Sequence, residues 1–374
     1  MTSTASSSPL SVLLLGLEGP GPRAFVRVAR GGESISGAPN TAADSDAEPA
    51  PSAEGAIEVT TRLRLLDAIV GQVRAGEPIV PDLPEGVDVV VACTLSTDVG
   101  ADVLVAAPER REALLAILDT AARTAAPRGH LVVLSSVRAY AATAANTVPV
   151  PEDSPAAGCD DGGFGGDVLA LERRVEALAG EYPCLTITLV RAGCLVGPGV
   201  DTSMTRHFEP RRLLVIDGDR PLWQFCHLED LAGAVLWCIE HRIAGPVTVA
   251  SPGHLTQREI EGLTGRGRFE VPEAMALRTA SRLHKLGMLV TAGEDLAFTR
   301  FPVVVSSQRL RDTGWSAAYD NAACVGVMLE EIRTNRMLAS LRRDAVATTA
   351  SAAVALAGMA ALVGRRRRQS GANR

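Results

Sequence analysis

Short, uninterrupted apolar runs fix the fold class of this chain before any motif is considered. Ser11-Val-Leu-Leu-Leu-Gly16 is such a run, and Val87–Ala92, His130–Ser135 and Leu185–Arg191 are others. Each is the length of a strand, and a strand without polar alternation has no face to offer water. That is the pattern of strands buried on both faces of a parallel sheet. Between them stand segments of helical periodicity, near 22–30, 63–75, 108–126, 167–180, 228–241 and 256–265, with shorter strands at 57–60 and 247–250. Strands alternating with helices require right-handed crossovers and a sheet covered by helices on both sides. The expected fold is α/β: a doubly wound, Rossmann-like parallel sheet with a smaller C-terminal substrate lobe.

The boundaries follow from composition. Residues 1–8 are a Ser/Thr-rich tail expected to be disordered. Residues 9–197 form the Rossmann-like domain, interrupted by a Gly/Ser/Ala/Pro-rich, acidic low-complexity loop at 31–56. Residues 198–335 form the substrate lobe, with elements returning to the main domain, and 336–374 form an apolar helix with a basic tail. Ala345–Gly364 carries no charge and precedes Arg365-Arg-Arg-Arg368. Twenty such residues reach the length of a bilayer span, but alanine is only weakly apolar. Three readings stay open for it: a span, a helix on an anionic membrane surface or a protein partner, and a packed or solvated helix. A net charge of −6 argues against a general nucleic-acid binder. The seven cysteines include no Cys-x-x-Cys pair. Most fall in apolar runs, where buried reduced thiols are expected, without metal or a disulfide framework. The N-terminus shows no secretory signal, so the expected location is cytoplasmic. The Ala/Val/Leu/Arg bias reads as the imprint of a GC-rich, actinobacterial-type genome.

Two loops carry the chemistry. Gly16-Leu-Glu-Gly19-Pro-Gly21-Pro22 follows a buried strand and opens a helix, the setting in which a glycine loop cradles a pyrophosphate. Gly16, Gly19 and Gly21 suit that turn. Pro22 stands where a third glycine would, and removes a backbone N–H there. Glu18 places negative charge where a pyrophosphate would lie. Either a cofactor cradle or a plain strand-to-helix turn is consistent with this loop. The second loop is Leu134-Ser135-Ser136-Val-Arg-Ala-Tyr140.

With that loop, three further motifs identify a resemblance. Val190-Arg191-Ala-Gly-Cys-Leu-Val-Gly197-Pro198-Gly199, Phe225-Cys-His227-Leu-Glu229-Asp230-Leu-Ala232 and Pro149-Val-Pro-Glu152-Asp153 occur at matching spacing. Over about residues 10–325 the chain resembles the extended short-chain dehydrogenase/reductase superfamily, in its NAD-dependent epimerase/dehydratase branch. The resemblance implies NAD or NADP as cofactor, a nucleotide-sugar-like substrate, Ser136 as an assisting catalytic residue, and a homodimer by family habit.

The family's reaction uses Tyr-x-x-x-Lys on the helix after that serine loop. A phenol near pKa 10 needs a neighbouring cation to act as a base at neutral pH. Here Phe164 and Val168 occupy the two positions, and Lys285 is the chain's sole lysine, more than a hundred residues away. Tyr140 and Tyr182 have no lysine partner. The leading expectation is a degenerate family member that lacks standard redox chemistry and acts by binding a nucleotide or nucleotide-sugar-like ligand, or as a scaffold. The alternatives are an active enzyme with a rebuilt acid/base group, Ser136 with Asp160, Asp161 or Asp167, and a structural interaction protein with an empty pocket. His227 and Asp230 are expected to position the second lobe. Arg206, Arg211 and Arg212 could meet ligand phosphates or form a solvated basic face.

Overall fold

The computed structural model describes residues 10–16, 19–29, 63–70, 87–95, 107–158, 163–285, 294–301 and 303–341. The expected strand at 57–60, the loop at 31–56, Glu18, Asp160, Asp161 and the tail at 345–374 lie outside the described residues. Five strands succeed one another along the chain: β1 (Leu10–Gly16), β2 (Leu63–Val70), β3 (Val89–Cys93), β4 (His130–Ser136) and β5 (Thr186–Ala192). A sixth, Gly245–Val249, completes a sheet of order Gly245–Val249, β5, β4, β3, β1, β2, parallel throughout.

One expectation is corrected here. Residues 63–70 are a strand paired with β1, not the start of a helix. Leu63-Arg-Leu-Leu-Asp-Ala-Ile-Val satisfies a helical template almost as well as an extended one. The free backbone edge of β1 decides between them, and that edge is a tertiary fact.

The sheet is dry on both faces because alternate residues feed two different cores. Val12 and Leu14 pack with Val91, Val190 and Val235 on the side of helices Pro20–Ala29 and Leu228–Glu240. Leu13 and Leu15 pack with Val90, Leu118 and Leu171 on the side of helices Ala107–Ala125 and Phe164–Glu181. A parallel strand with both faces buried has no use for polar alternation, which is why these strands read as plain apolar runs. The order reverses at β1, whose neighbours are β2 and β3, so the crevice of the sheet opens beyond Gly16 and Cys93.

The second lobe is assembled from short strand pairs: Cys194–Val196 with Phe225–His227, Leu222–Trp223 with Leu255–Thr256, and Leu213–Ile216 with Arg268–Val271. Among the described residues no helix is long and apolar enough to cross a membrane, and no group of His, Cys, Asp and Glu could hold a metal ion.

Candidate functional site

At the crevice, Gly16 turns at φ +151°, and a Cβ there would stand 2.0 Å from the Cys93 carbonyl oxygen. Glycine is therefore demanded by the contact of β1 with β3, whatever binds above. Helix Pro20–Ala29 begins earlier than the sequence suggests. Its first bond runs from Arg23 N–H to the Gly19 carbonyl, which makes Gly19 the cap. A helix leaves its first four amides unbonded, and these are the donors an anion would meet. Here two of the four are Pro20 and Pro22, so only Gly19 and Gly21 keep an N–H. At the end of β3, the Thr94 hydroxyl is buried and has no hydrogen-bond partner among the described residues.

Ser136 ends β4 and caps the short 3-10 turn Val137–Ala139 by accepting from Arg138 N–H at 3.3 Å. Phe164 begins its helix and faces the guanidinium of Arg138, whose carbon lies 5.8 Å from the ring centre. Val168, one turn on, is 0% exposed. Asp167, between them, does not reach Ser136 by any described hydrogen bond. Its carboxylate accepts from Arg110 at 2.5 Å and Arg111 at 3.3 Å, both from the facing helix Ala107–Ala125. As a general base it is poorly placed, since both carboxylate oxygens are already engaged by guanidiniums of the facing helix. That removes the described member of the Ser136-plus-aspartate set.

The sequence motifs leave out Glu172, the centre of a buried polar cluster near the crevice. Glu172 lies one turn beyond Val168, buried, and accepts from Ser135 Oγ at 2.6 Å and from Arg191 through Nε at 3.0 Å and NH2 at 2.7 Å. The Arg191 guanidinium also lies 4.7 Å from the centre of the Tyr140 ring and donates to the carbonyls of Glu152 and Ser154. Tyr140 donates its hydroxyl to the Glu152 carbonyl, and burial raises its pKa further above its ordinary value, so it is no base. The Glu152 carboxylate accepts from Thr248 N–H, Thr248 Oγ and Arg309 N–H, joining the edge strand and helix Gln308–Asp312 to this loop. Arg191, Tyr140 and Glu152 are thus scaffold residues. The signal was present: Glu172 keeps helical spacing from Phe164 and Val168, and Ser135 adjoins Ser136.

In the second lobe, His227 caps helix Leu228–Glu240 and stacks on Tyr319 at 3.7 Å between ring centres. Burial lowers its pKa to about 4, so it is neutral. Asp230 accepts from the N–H groups of Ala318 and Tyr319, while burial lifts its pKa to about 6. Both hold the chain that leads into the last helix. Gly197 lies against Leu228, where a Cβ would meet the side chain at 2.9 Å, and Pro198 is exposed beside it. Arg206 is engaged by Asp201 at 2.6 Å, which disfavours it as a free phosphate ligand; Arg211 and Arg212 are exposed.

A nicotinamide dinucleotide poised for hydride transfer does not fit these residues. The tight turn at Gly16 and the unpartnered Thr94 hydroxyl suit a ligand at the crevice. The helix that opens at the crevice has lost two amides, and the positions that the resemblance assigns to a tyrosine and a lysine hold a phenyl ring and a buried valine. The polar groups the crevice offers are the Thr94 hydroxyl and the Gly19 and Gly21 backbone N–H groups.

Residues 82–250 match the model of the NAD dependent epimerase/dehydratase family. Uncharacterized proteins of Mycobacterium tuberculosis and Mycobacterium bovis are 27% identical over 192 residues, and the chain spans about half the length of these curated relatives. Among solved structures, RMD from Pseudomonas aeruginosa complexed with NADPH superposes with a TM-score of 0.57 at 17% identity, over 87% of this chain and 98% of that one. The human epimerase family protein SDR39U1 with NADPH gives 0.52 at 18% identity, over 87% and 99%. The dTDP-glucose 4,6-dehydratase of Bacillus anthracis in complex with NAD gives 0.52 at 12% identity, over 88% and 98%. At these identities the likeness is one of fold.

Proposed function

We propose that this chain, whose residues 82–250 match the model of the NAD-dependent epimerase/dehydratase family, is a member without redox chemistry that binds a nucleotide or nucleotide-sugar-like ligand at the crevice of its sheet. The observation that carries the reading is the replacement of both proton-handling positions by Phe164 and Val168, the second fully buried. A buried valine is not a site awaiting a different cation. Asp167 offers no substitute, because Arg110 and Arg111 already claim it. The unpartnered Thr94 hydroxyl supports retained binding, since a buried hydroxyl without a partner is costly unless something completes it.

The test uses the full chain. Thermal shift and calorimetry are run with UDP, UDP-glucose, NAD and NADP, and sugar-nucleotide conversion is followed by NMR. Stabilisation by a nucleotide or sugar nucleotide, with neither conversion nor change in nicotinamide absorbance, is the expected result. Turnover by the wild-type chain overturns the non-redox reading. Absence of binding to all four overturns the ligand reading and leaves an interaction protein with an empty pocket.

A further inference from the structure

Arg138 lies just past the carboxyl end of β4 and is 6% exposed. Its guanidinium carbon stands 4.7 Å from the centre of the Phe298 ring and 5.8 Å from that of Phe164, and its NH2 donates to Ser203 Oγ at 2.8 Å. A planar, weakly hydrated guanidinium is the cation best suited to lie among aromatic rings. Phe164 belongs to a helix of the sheet domain, whereas Phe298 belongs to helix Glu294–Arg300 of the second lobe.

That helix is part of a small body with its own core. Strands Leu213–Ile216 and Arg268–Val271 pair in it, and helices Glu273–Lys285 and Glu294–Arg300 flank them. Leu214, Ile216, Val271, Ala276, Ala280 and Leu296 form one apolar cluster, distinct from both cores of the sheet. Arg300 binds Asp219 and Glu273, which keeps the helix on this body. The chain passes out of it at Gly218 and into it near Gly265, at φ +86° and +64°, with open space where either Cβ would be. Beyond its last helix, Val305 is fixed by both backbone bonds to Gln224. The body is thus cohesive within, and Leu213 at the start of its first strand anchors it in the second lobe's core with Phe208, Trp223 and Phe225, so its far side, which carries Phe298, is the part that meets the sheet domain.

We infer that the Phe298–Arg138–Phe164 stack is a latch, which ties this small body to the carboxyl end of the sheet and must release for the body to swing away from the crevice. The latch belongs to the free protein, so it stands or falls independently of which ligand binds.

The test is hydrogen exchange by mass spectrometry on the full chain, comparing the wild type with Arg138→Met, Phe298→Leu and the double variant. Loss of a desolvated cation–aromatic contact should speed exchange of peptides covering 213–216 and 294–300 roughly tenfold in each single variant. Peptides covering 186–192, in the sheet core, should be unchanged, and the double variant should exchange no faster than the singles. Unchanged exchange in the small body overturns the latch, and so does a double variant in which the two increments add. Should Arg138→Met also deprotect 186–192, it has unfolded, and Phe298→Leu alone decides by its effect on 294–300.

Discussion

At residue 16 the backbone turns at φ +151°, and a Cβ there would lie 2.0 Å from the Cys93 carbonyl oxygen. Gly16→Ala must either strain the turn or push β1 from β3. We expect it to cost about 3 kcal/mol, seen as a lowered urea midpoint with no change of slope. Glu172 makes the opposite case, a charge whose partners are everything. Replacing it by Gln keeps the shape but leaves the Arg191 guanidinium buried without its counter-charge. A loss of about 3–5 kcal/mol is expected by the same measurement, with partial relief in Glu172→Gln/Arg191→Met. How far single residues could be read from the sequence depended on where their partners lie. The ends of β1 at Gly16 and of β4 at Ser136 were legible, because a strand-to-turn junction is a local pattern. The engagement of Asp167 by Arg110 and Arg111 was not, since those arginines lie over fifty residues away on another helix. Nor was the stack on Arg138, whose Phe298 arrives from the far end of the chain.

Helix Pro20–Ala29 shows how an element can keep its place and lose a property. Proline at its first and third positions is compatible with helical backbone, because neither amide would be bonded within the helix. The same substitution removes donors from the end that faces the crevice. Pro22→Ala returns one N–H to that end, and ADP affinity measured by calorimetry should rise by roughly tenfold, the worth of one hydrogen bond to a charged group. No change in affinity would mean that no diphosphate reaches this helix. Elements were legible where burial on both faces produced an apolar run, as in β1, β3, β4 and β5. The strand at 63–70 was misread because its preference is divided, and pairing with β1 settles it. Helix Phe164–Glu181 was placed well, but the side chains that matter on it divide between Phe164 at the crevice and Glu172 in the scaffold.

The whole molecule carries an acid sensitivity set by three histidines that folding buries uncharged. Burial lowers His130, His207 and His227 from 6.5 to about 4. Among the described residues, both ring nitrogens of His207 lack hydrogen-bond partners, and so does Nδ1 of His130. A depressed folded pKa means that the unfolded chain takes up the proton first. The stability these groups permit is complete above 6.5 and is lost as pH falls towards 4. Asp230, raised to about 6, acts in the other sense: it favours the fold below its unfolded pKa, and that contribution disappears as pH rises through 6. Between about pH 7.5 and about pH 5, urea titrations should show a loss of about 2 kcal/mol per histidine, offset by about 1 kcal/mol from Asp230. His207→Phe should flatten the slope by one histidine's share. The order of the sheet has a further consequence, for synthesis on the ribosome. Strand Gly245–Val249 covers the edge of β5, yet more than fifty residues of the second lobe are translated between them. Until that strand emerges, β5 presents an open, apolar edge, the kind that recruits other chains. The nascent sheet domain cannot finish alone, so a gene fragment ending near residue 197 should yield aggregate rather than a smaller protein, and the two lobes can only be inherited together.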